Sequence, residues 1–508
     1  RIGKLDASTD LPPGATAPRA PRTLDAKATR PVLFNSLAFA IFLPVVYVLY
    51  WALGPRRIRA QNGLLLIASY VFYGWWDWRF LGLIVLSSLV DYLVGLRLDR
   101  TPAGRTRRAL LGVSLAANLG VLGLFKYFDF FIASAGEVLQ AFGMEANLPS
   151  LRVILPVGIS FYTFQTLSYT IDVYRGRVAP THDPVAFFAF VSFFPQLVAG
   201  PIERARHLLP QFQRPRRFDA AAARDGLRQM LWGFFKKVVV ADNLAGTVDR
   251  IFAHYADLGS AHLLVGVFFF AIQIYADFSG YSDIAIGTAR LFGFDLMRNF
   301  ATPYFSRNIG EFWQRWHISL STWFRDYVYI PLGGNRVGPW RHLGNVLVTF
   351  TLSGLWHGAN WTFLIWGFLH GLYYVPLMLL GRHKAPDAAP AAERLLPRPG
   401  EACAMLATFL AVLVAWVFFR AESVGQAIGY LARLTGGDWS TSGLAGYRTH
   451  LAFVGVLLVV EWLQRARPHG LDVARWPWVA RRGAYYAVAA LIVLKGNTGY
   501  VPFIYFQF

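Results

Sequence analysis

The sequence predicts an all-α, polytopic membrane protein of roughly 11–13 membrane helices with re-entrant and interfacial segments between them. Three observations carry this prediction. Hydrophobic residues make up 55% of the 508 positions and charged residues only 15%, against about 25% charge in soluble domains. Mean hydropathy is +0.39. Aromatic residues reach 16%, with 17 Trp, 23 Tyr and 42 Phe, and such rings gather where a protein meets lipid headgroups.

Residues 1–31 are polar, rich in Pro, Ala, Arg and Thr, and lack the apolar core of a signal peptide. They read as a disordered extension before a single membrane domain, 32–508. The first apolar run begins abruptly at Val32, and a valine codon can start translation in bacteria, so Val32 is a candidate native start. A bilayer core needs about 20 apolar residues per helix. Candidate spans lie near 33–54, 62–77, 80–97, 109–125, 151–170, 227–245, 262–279, 343–357, 360–381, 403–420, 450–464 and 484–496. No internal repeat of the kind that marks many transporters is visible.

The formal net charge is +20. Its arginines cluster in short loops between apolar spans, the positive-inside pattern of a cytoplasmic face rather than a nucleic-acid surface. A basic face also suits anionic lipid, or an anionic substrate such as coenzyme A. Arg56, Arg57 and Arg59 follow the first span, and Arg97, Arg100, Arg105, Arg107 and Arg108 follow the third. Both loops can be cytoplasmic, with the N-terminus outside. Segment 184–201 is apolar enough to cross, yet Arg175 and Arg177 precede it and Arg204, Arg206, Arg214, Arg216 and Arg217 follow it. The simpler reading has it dip in and return, broken at Pro195 and Gly200-Pro201, lining an internal cavity. The alternative is a long span bent at Pro195. One cysteine, Cys403, and no Cys/His cluster of zinc-ligand spacing give no expectation of a disulfide or a structural metal.

Polar residues at membrane depth are costly and default to functional hypotheses. Three stretches hold most of them. Gln273–Asp283, with Asp277 and Asp283, is expected to close a span as a helix end facing a polar cavity, or as a cap and solvated turn. Segment 307–336, with Arg315 and His317, is too polar to span. It lies at the interface or folds into the protein. Leu355-Trp356-His357-Gly358-Ala359-Asn360-Trp361 joins two apolar helices. Burial favours a neutral His357 imidazole, which can take a proton from a hydroxyl as a general base. Gly354 and Gly358 are expected to clear space beside it for a substrate. Alternatively His357 ties two helices together, as His370 is expected to do.

The ordered runs LPVGISFYTFQTLSYTIDVYRG, FFPQLVAGPIER, WGFFKKVVVADN, QIYADFSGYSDIAIG, EFWQRWHISLSTWFRDYVYIPLGG and LWHGANWTFLIWGFLHG, with PFIYFQF at the end of the chain, resemble the membrane-bound O-acyltransferase (MBOAT) family. Within it they are closest to the bacterial branch that serves alginate acetylation and teichoic-acid D-alanylation. The resemblance covers nearly all of the chain after Val32. It implies a fold of short, broken segments around a central tunnel, a catalytic role for His357 and a second important histidine, His317. It also implies acetyl-CoA as a cytoplasmic donor substrate, with no tightly bound cofactor, and a hydroxyl on an extracytoplasmic polysaccharide as final acceptor, reached through a partner acetyltransferase. Asp277, Asp283, Arg315 and Asn360 are expected to order the polar network around the histidines. The competing classes are a polysaccharide or lipid-intermediate transporter, which deep polar residues also suit, and a non-catalytic scaffold.

Overall fold

The computed structural model describes residues 34–144, 148–151, 153–381, 394–497, 499 and 501–506; the expected extension 1–31 and the Val32 start lie outside them. The described residues are helical, without sheet. Six helical stretches among them are long and apolar enough to cross a bilayer: 58–100, 105–141, 260–291, 361–379, 399–420 and 444–463. The first joins two expected spans and is a hairpin rather than a rod. Asp77 adopts an extended backbone (φ −159°, ψ 108°) and its carboxylate caps the next turn through the Arg79 amide. The two arms, Ile58–Asp77 and Leu81–Arg100, therefore return to the same end. There Arg59 lies 3.9 Å from Asp183 and Asp99 lies 3.7 Å from His182. The expected span 109–125 continues much further: the helix from Arg105 passes through a π turn, Gly123–Tyr127, and on to Ala141.

The same end collects the arginine loops. Arg107 donates to the carbonyls of Val173 and Tyr174 at 3.1 Å. Gln213 reaches Thr181 at 3.0 Å. Arg175 donates to the Asp326 carbonyl, and Arg204 approaches the Asp326 carboxylate. Residues on both sides of 184–201 thus sit side by side, which a full crossing forbids. The helix Pro184–Ser192 has only 9 residues, roughly 14 Å, and it stops before Pro195. From Ala189 to Glu203 every residue is buried in protein. That burial is what lets irregular backbone exist at membrane depth. The dip-and-return reading holds.

At the centre, Ser260–Leu291 is a single 32-residue helix. The expectation that Gln273–Asp283 ends a span is corrected here, because the helix runs straight through it. Two glycine pairs, seven residues apart, allow this. Gly226 and Gly233, on the helix Ala220–Phe234, meet Gly287 and Gly280. A Cβ on Gly233 would stand 2.6 Å from the Gly280 carbonyl oxygen, and one on Gly226 2.6 Å from that of Gly287. Small residues let helix backbones approach this closely. The acids of the long helix are then met by lysines of the partner helix, whose π turn Phe235–Ala241 carries both cations. Lys236 pairs with Asp283 at 2.6 Å, and Lys237 pairs with Asp277 at 2.7 Å and Asp242 at 2.8 Å.

Gly233→Val is expected to destabilise the protein by about 3 kcal/mol, because the obstacle is backbone and the helices must part. Gly112, where an added Cβ would meet open space, supplies the control: Gly112→Ala should leave the thermal midpoint of the detergent-solubilised protein unchanged or slightly raised, and Gly233→Val should lower it.

A second polar knot ties outer helices. Buried Asp91 accepts hydrogen bonds from Ser114, Asn118 and Thr170, so one carboxylate joins three helices.

Candidate active site

His357 is the last residue of the helix Pro339–His357. The chain then leaves through Gly358 in extended conformation (φ −163°, ψ 153°) and restarts at Asn360. The Asn360 side chain caps the helix Trp361–Leu379 through the Thr362 amide at 3.0 Å. The glycines here do not clear space for a substrate, contrary to expectation. A Cβ on Gly358 would meet the Phe363 ring at 2.2 Å, and one on Gly354 the Phe363 carbonyl at 2.2 Å. They are there so that the two helices can pack together.

His317 comes from the polar segment, whose first half, to Phe324, folds into the protein while much of 325–336 stays exposed. It separates two seven-residue helices, Ile309–Arg315 and Ile318–Phe324. Its backbone is left-handed (φ 42°, ψ 55°), a strain of about 1–3 kcal/mol for a residue with a side chain. Neighbouring contacts hold it there. The Ile318 amide donates to the Asn299 carbonyl at 2.9 Å, the Ser319 hydroxyl to the Asn299 side chain at 3.0 Å, and the Ala301 amide to the Arg315 carbonyl at 2.9 Å.

The fold brings the two imidazoles to 6.3 Å between ring centroids. His357 is 3% exposed and His317 0%, inside a shell of aromatic rings. Trp366 lies 5.0 Å, Phe419 5.3 Å and Tyr505 5.6 Å from His357, and Phe278 lies 4.6 Å from His317. No ring nitrogen of either histidine has a hydrogen-bond partner among the described residues. Buried polar groups are nearly always paired, so four unpaired imidazole nitrogens in one place need a reason. His370 is different: the Trp313 indole donates to its Nδ1 at 3.3 Å, which fits the helix-tying role expected for it.

Two clefts flank the pair. One, at the arginine end, is lined by Lys236, Asp283, Arg298, Arg467 and His469 and reaches Asn299 and Phe300 beside His317. The other is a cavity of about 70 Å³ walled by Lys126, Val157, Phe161, Trp356, His357 and Tyr505. It belongs to the opposite end. Val157 accepts from the Tyr73 hydroxyl at 2.9 Å, and Tyr73 is fifteen residues, roughly 22 Å along its helix, from Ile58.

A protein-family model described as MBOAT, membrane-bound O-acyltransferase family, matches residues 177–388, which include both histidines. The chain is 40% identical to the probable alginate O-acetylase AlgI of Pseudomonas putida over 514 residues, covering 94% of this chain and 100% of that one. It is 44% identical to the probable alginate O-acetylase AlgI of Azotobacter vinelandii, over 81% and 80% of the two chains. It is 36% identical to the peptidoglycan O-acetyltransferase of Helicobacter pylori, over 80% of each.

The chain belongs to the MBOAT family. It is a polytopic bacterial membrane protein of the acyltransferase type.

The remaining expected site residues of this MBOAT protein do not touch the histidines through the bonds observed. Asp277 and Asp283 are held by Lys237 and Lys236. Arg315 pairs with Glu311 at 2.9 Å and donates to the Ala301 carbonyl. Asn360 caps its helix and donates to the Glu422 carbonyl at 3.0 Å. Asp277 acts on the wall indirectly: it accepts from the Ile504 amide at 2.7 Å and so anchors the chain end that carries Tyr505. Two cavity residues were missed in the sequence and lie outside the span of the family match. Lys126 donates to the carbonyls of Trp356 and His357, and the Tyr505 hydroxyl is buried without a partner among the described residues. For Lys126 the signal was there, a lone lysine in an apolar run.

Proposed function

We propose that the protein transfers an acetyl group from a cytoplasmic donor, acetyl-CoA, to a hydroxyl that leads to O-acetylation of an extracytoplasmic polysaccharide, working in the bacterial inner membrane. The observation that carries this reading is the pair of buried, unpartnered imidazoles between two clefts of opposite ends. His357 takes the proton of the acceptor hydroxyl. The oxygen attacks the thioester carbonyl, the carbon–sulfur bond breaks, and the proton passes to the departing thiolate. His317 orients the donor or supports the oxyanion of the tetrahedral intermediate. Arg298 and Arg467 in the cleft at the arginine end, beside the paired Lys236, Asp283 and Glu461, suit a phosphorylated donor. The aromatic walls and small size of the other cavity suit an acetyl group rather than a long acyl chain. The names of the curated relatives support acetyl as the group moved, and alginate is the acceptor that the AlgI proteins suggest. An extracytoplasmic acetyltransferase partner delivers the group to the polymer, and anionic lipid contacts the arginine end.

The test combines the purified full chain, given acetyl-CoA labelled in the acetyl group, with acetate release by alkali from envelope polysaccharides of a deletion strain. Label transfer and loss of released acetate in the deletion strain are expected. Unchanged polymer acetate together with absent label transfer would overturn the reading in favour of transport.

A further inference from the structure

The helix that ends at His357 has a problem at its carbonyl end. Its last carbonyls have no partners within the helix, and the chain departs in extended conformation immediately after the histidine. They are instead met from a different element. Lys126 Nζ donates to the Trp356 carbonyl at 2.6 Å and to the His357 carbonyl at 3.1 Å, and the Tyr127 hydroxyl donates to the Leu355 carbonyl at 3.0 Å. Three successive carbonyls are thus held by two successive side chains.

Both donors sit in the π turn Gly123–Tyr127. A π turn widens the helix locally and re-aims its side chains, and such turns recur at functional sites. The ammonium also lies 5.9 Å from the Trp356 ring centroid and 3.5 Å from the Ser160 hydroxyl. It lines the same cavity as His357. A cation is the favoured partner of a helix C-terminus, but a lysine inside an apolar span is costly to keep there.

We infer that Lys126, assisted by Tyr127, is a positioning residue for His357. It clamps the carbonyl end of the histidine's helix, so that the imidazole holds its place at the wall of the cavity. The inference rests on the proposed role of His357. A displacement of a reacting group by about 1 Å can cost 100-fold in rate, so loosening this helix end has a kinetic price out of proportion to three hydrogen bonds.

The test is complementation of the deletion strain at matched membrane levels, with acetate released from envelope polysaccharides as readout. Lys126→Met is expected to lower acetate release by about 10- to 100-fold at a membrane level matched to wild type, with some loss of thermal midpoint from the unpaired carbonyls. Lys126→Arg, which retains the charge and the donors, should recover most of that loss. A purely packing role would let the apolar Met do better than Arg, and that order would overturn the inference. So would wild-type acetate release from Lys126→Met alongside a dead His357→Ala. If His357→Ala itself releases normal acetate, the proposed function has failed, and the clamp falls with it. Should Lys126→Met not accumulate, Tyr127→Phe decides. It removes one bond and no charge, is expected to lower release about 3-fold, and at wild-type output would overturn the clamp.

Discussion

His357→Ala is expected to abolish acetyl transfer while the protein still inserts and folds. The ring makes no hydrogen bond among the described residues, so removing it breaks no polar contact. What is lost is packing against Trp366, Phe419 and Tyr505, a cost of the order of 2 kcal/mol. The catalytic loss is about 100- to 10,000-fold, with the imidazole as general base. His357→Gln, which keeps much of the volume and has no basic nitrogen, should be equally inactive and more stable than the alanine variant. Label transfer from acetyl-CoA and the thermal midpoint, measured on the same preparations, separate the two effects. An active glutamine variant would exclude general-base catalysis by this residue.

Lys237→Met should have the largest effect on stability. Lys237 stands between Asp242 and Asp277 at 2.8 and 2.7 Å, with all three buried. Removing the one cation leaves two carboxylates facing each other without compensation, a loss of about 3–5 kcal/mol. The consequence reaches the site, since Asp277 also anchors the Ile504 amide and, one residue on, Tyr505. Lys237→Met should therefore lower both the thermal midpoint and acetyl transfer. Adding Asp242→Asn and Asp277→Asn to it should restore the midpoint in part, because the asparagine oxygen at 277 still accepts from Ile504. A triple variant less stable than Lys237→Met would show that uncompensated buried charge is not what destabilises the single variant.

Much of this molecule can be read in its sequence where the physics is local. His357 is conspicuous as a polar residue deep in apolar sequence, but a helix-tying role suits it equally there, and it is the ordered motifs around it that single it out. The re-entrant path of 184–201 follows from arginines on both sides of an apolar run that a single crossing would separate. Reading fails where a distant residue changes the meaning of a local one. Gln273–Asp283 looks like the end of a span, because two acids and a glycine normally stop one. The lysines that neutralise them lie about forty positions upstream, and the glycines that bring the two helices together are recognisable as pairs only once the helices are aligned. Gly354 and Gly358 were legible as gaps, but Phe363, which fills both, was not. Lys126 lies one residue past the expected span 109–125, and the π turn that carries it has no sequence signature comparable to a cap.

The returning segment 184–201 has a consequence for how the protein is made. A hydrophobic run can be handed to the lipid as soon as it emerges from the ribosome, but this one ends with backbone amides and carbonyls that lipid cannot satisfy. Its partners are split across the chain. The Phe194 amide donates to the Ser69 hydroxyl, already synthesised, at 3.0 Å, whereas the Phe193 ring packs 4.8 Å from that of Phe294, made a hundred residues later. Its polar support is therefore available early, and its aromatic support only once the central helix Ser260–Leu291 and the turn beyond it, which carries Phe294, have been translated. The ring packing on this loop is completed only after that helix has been made.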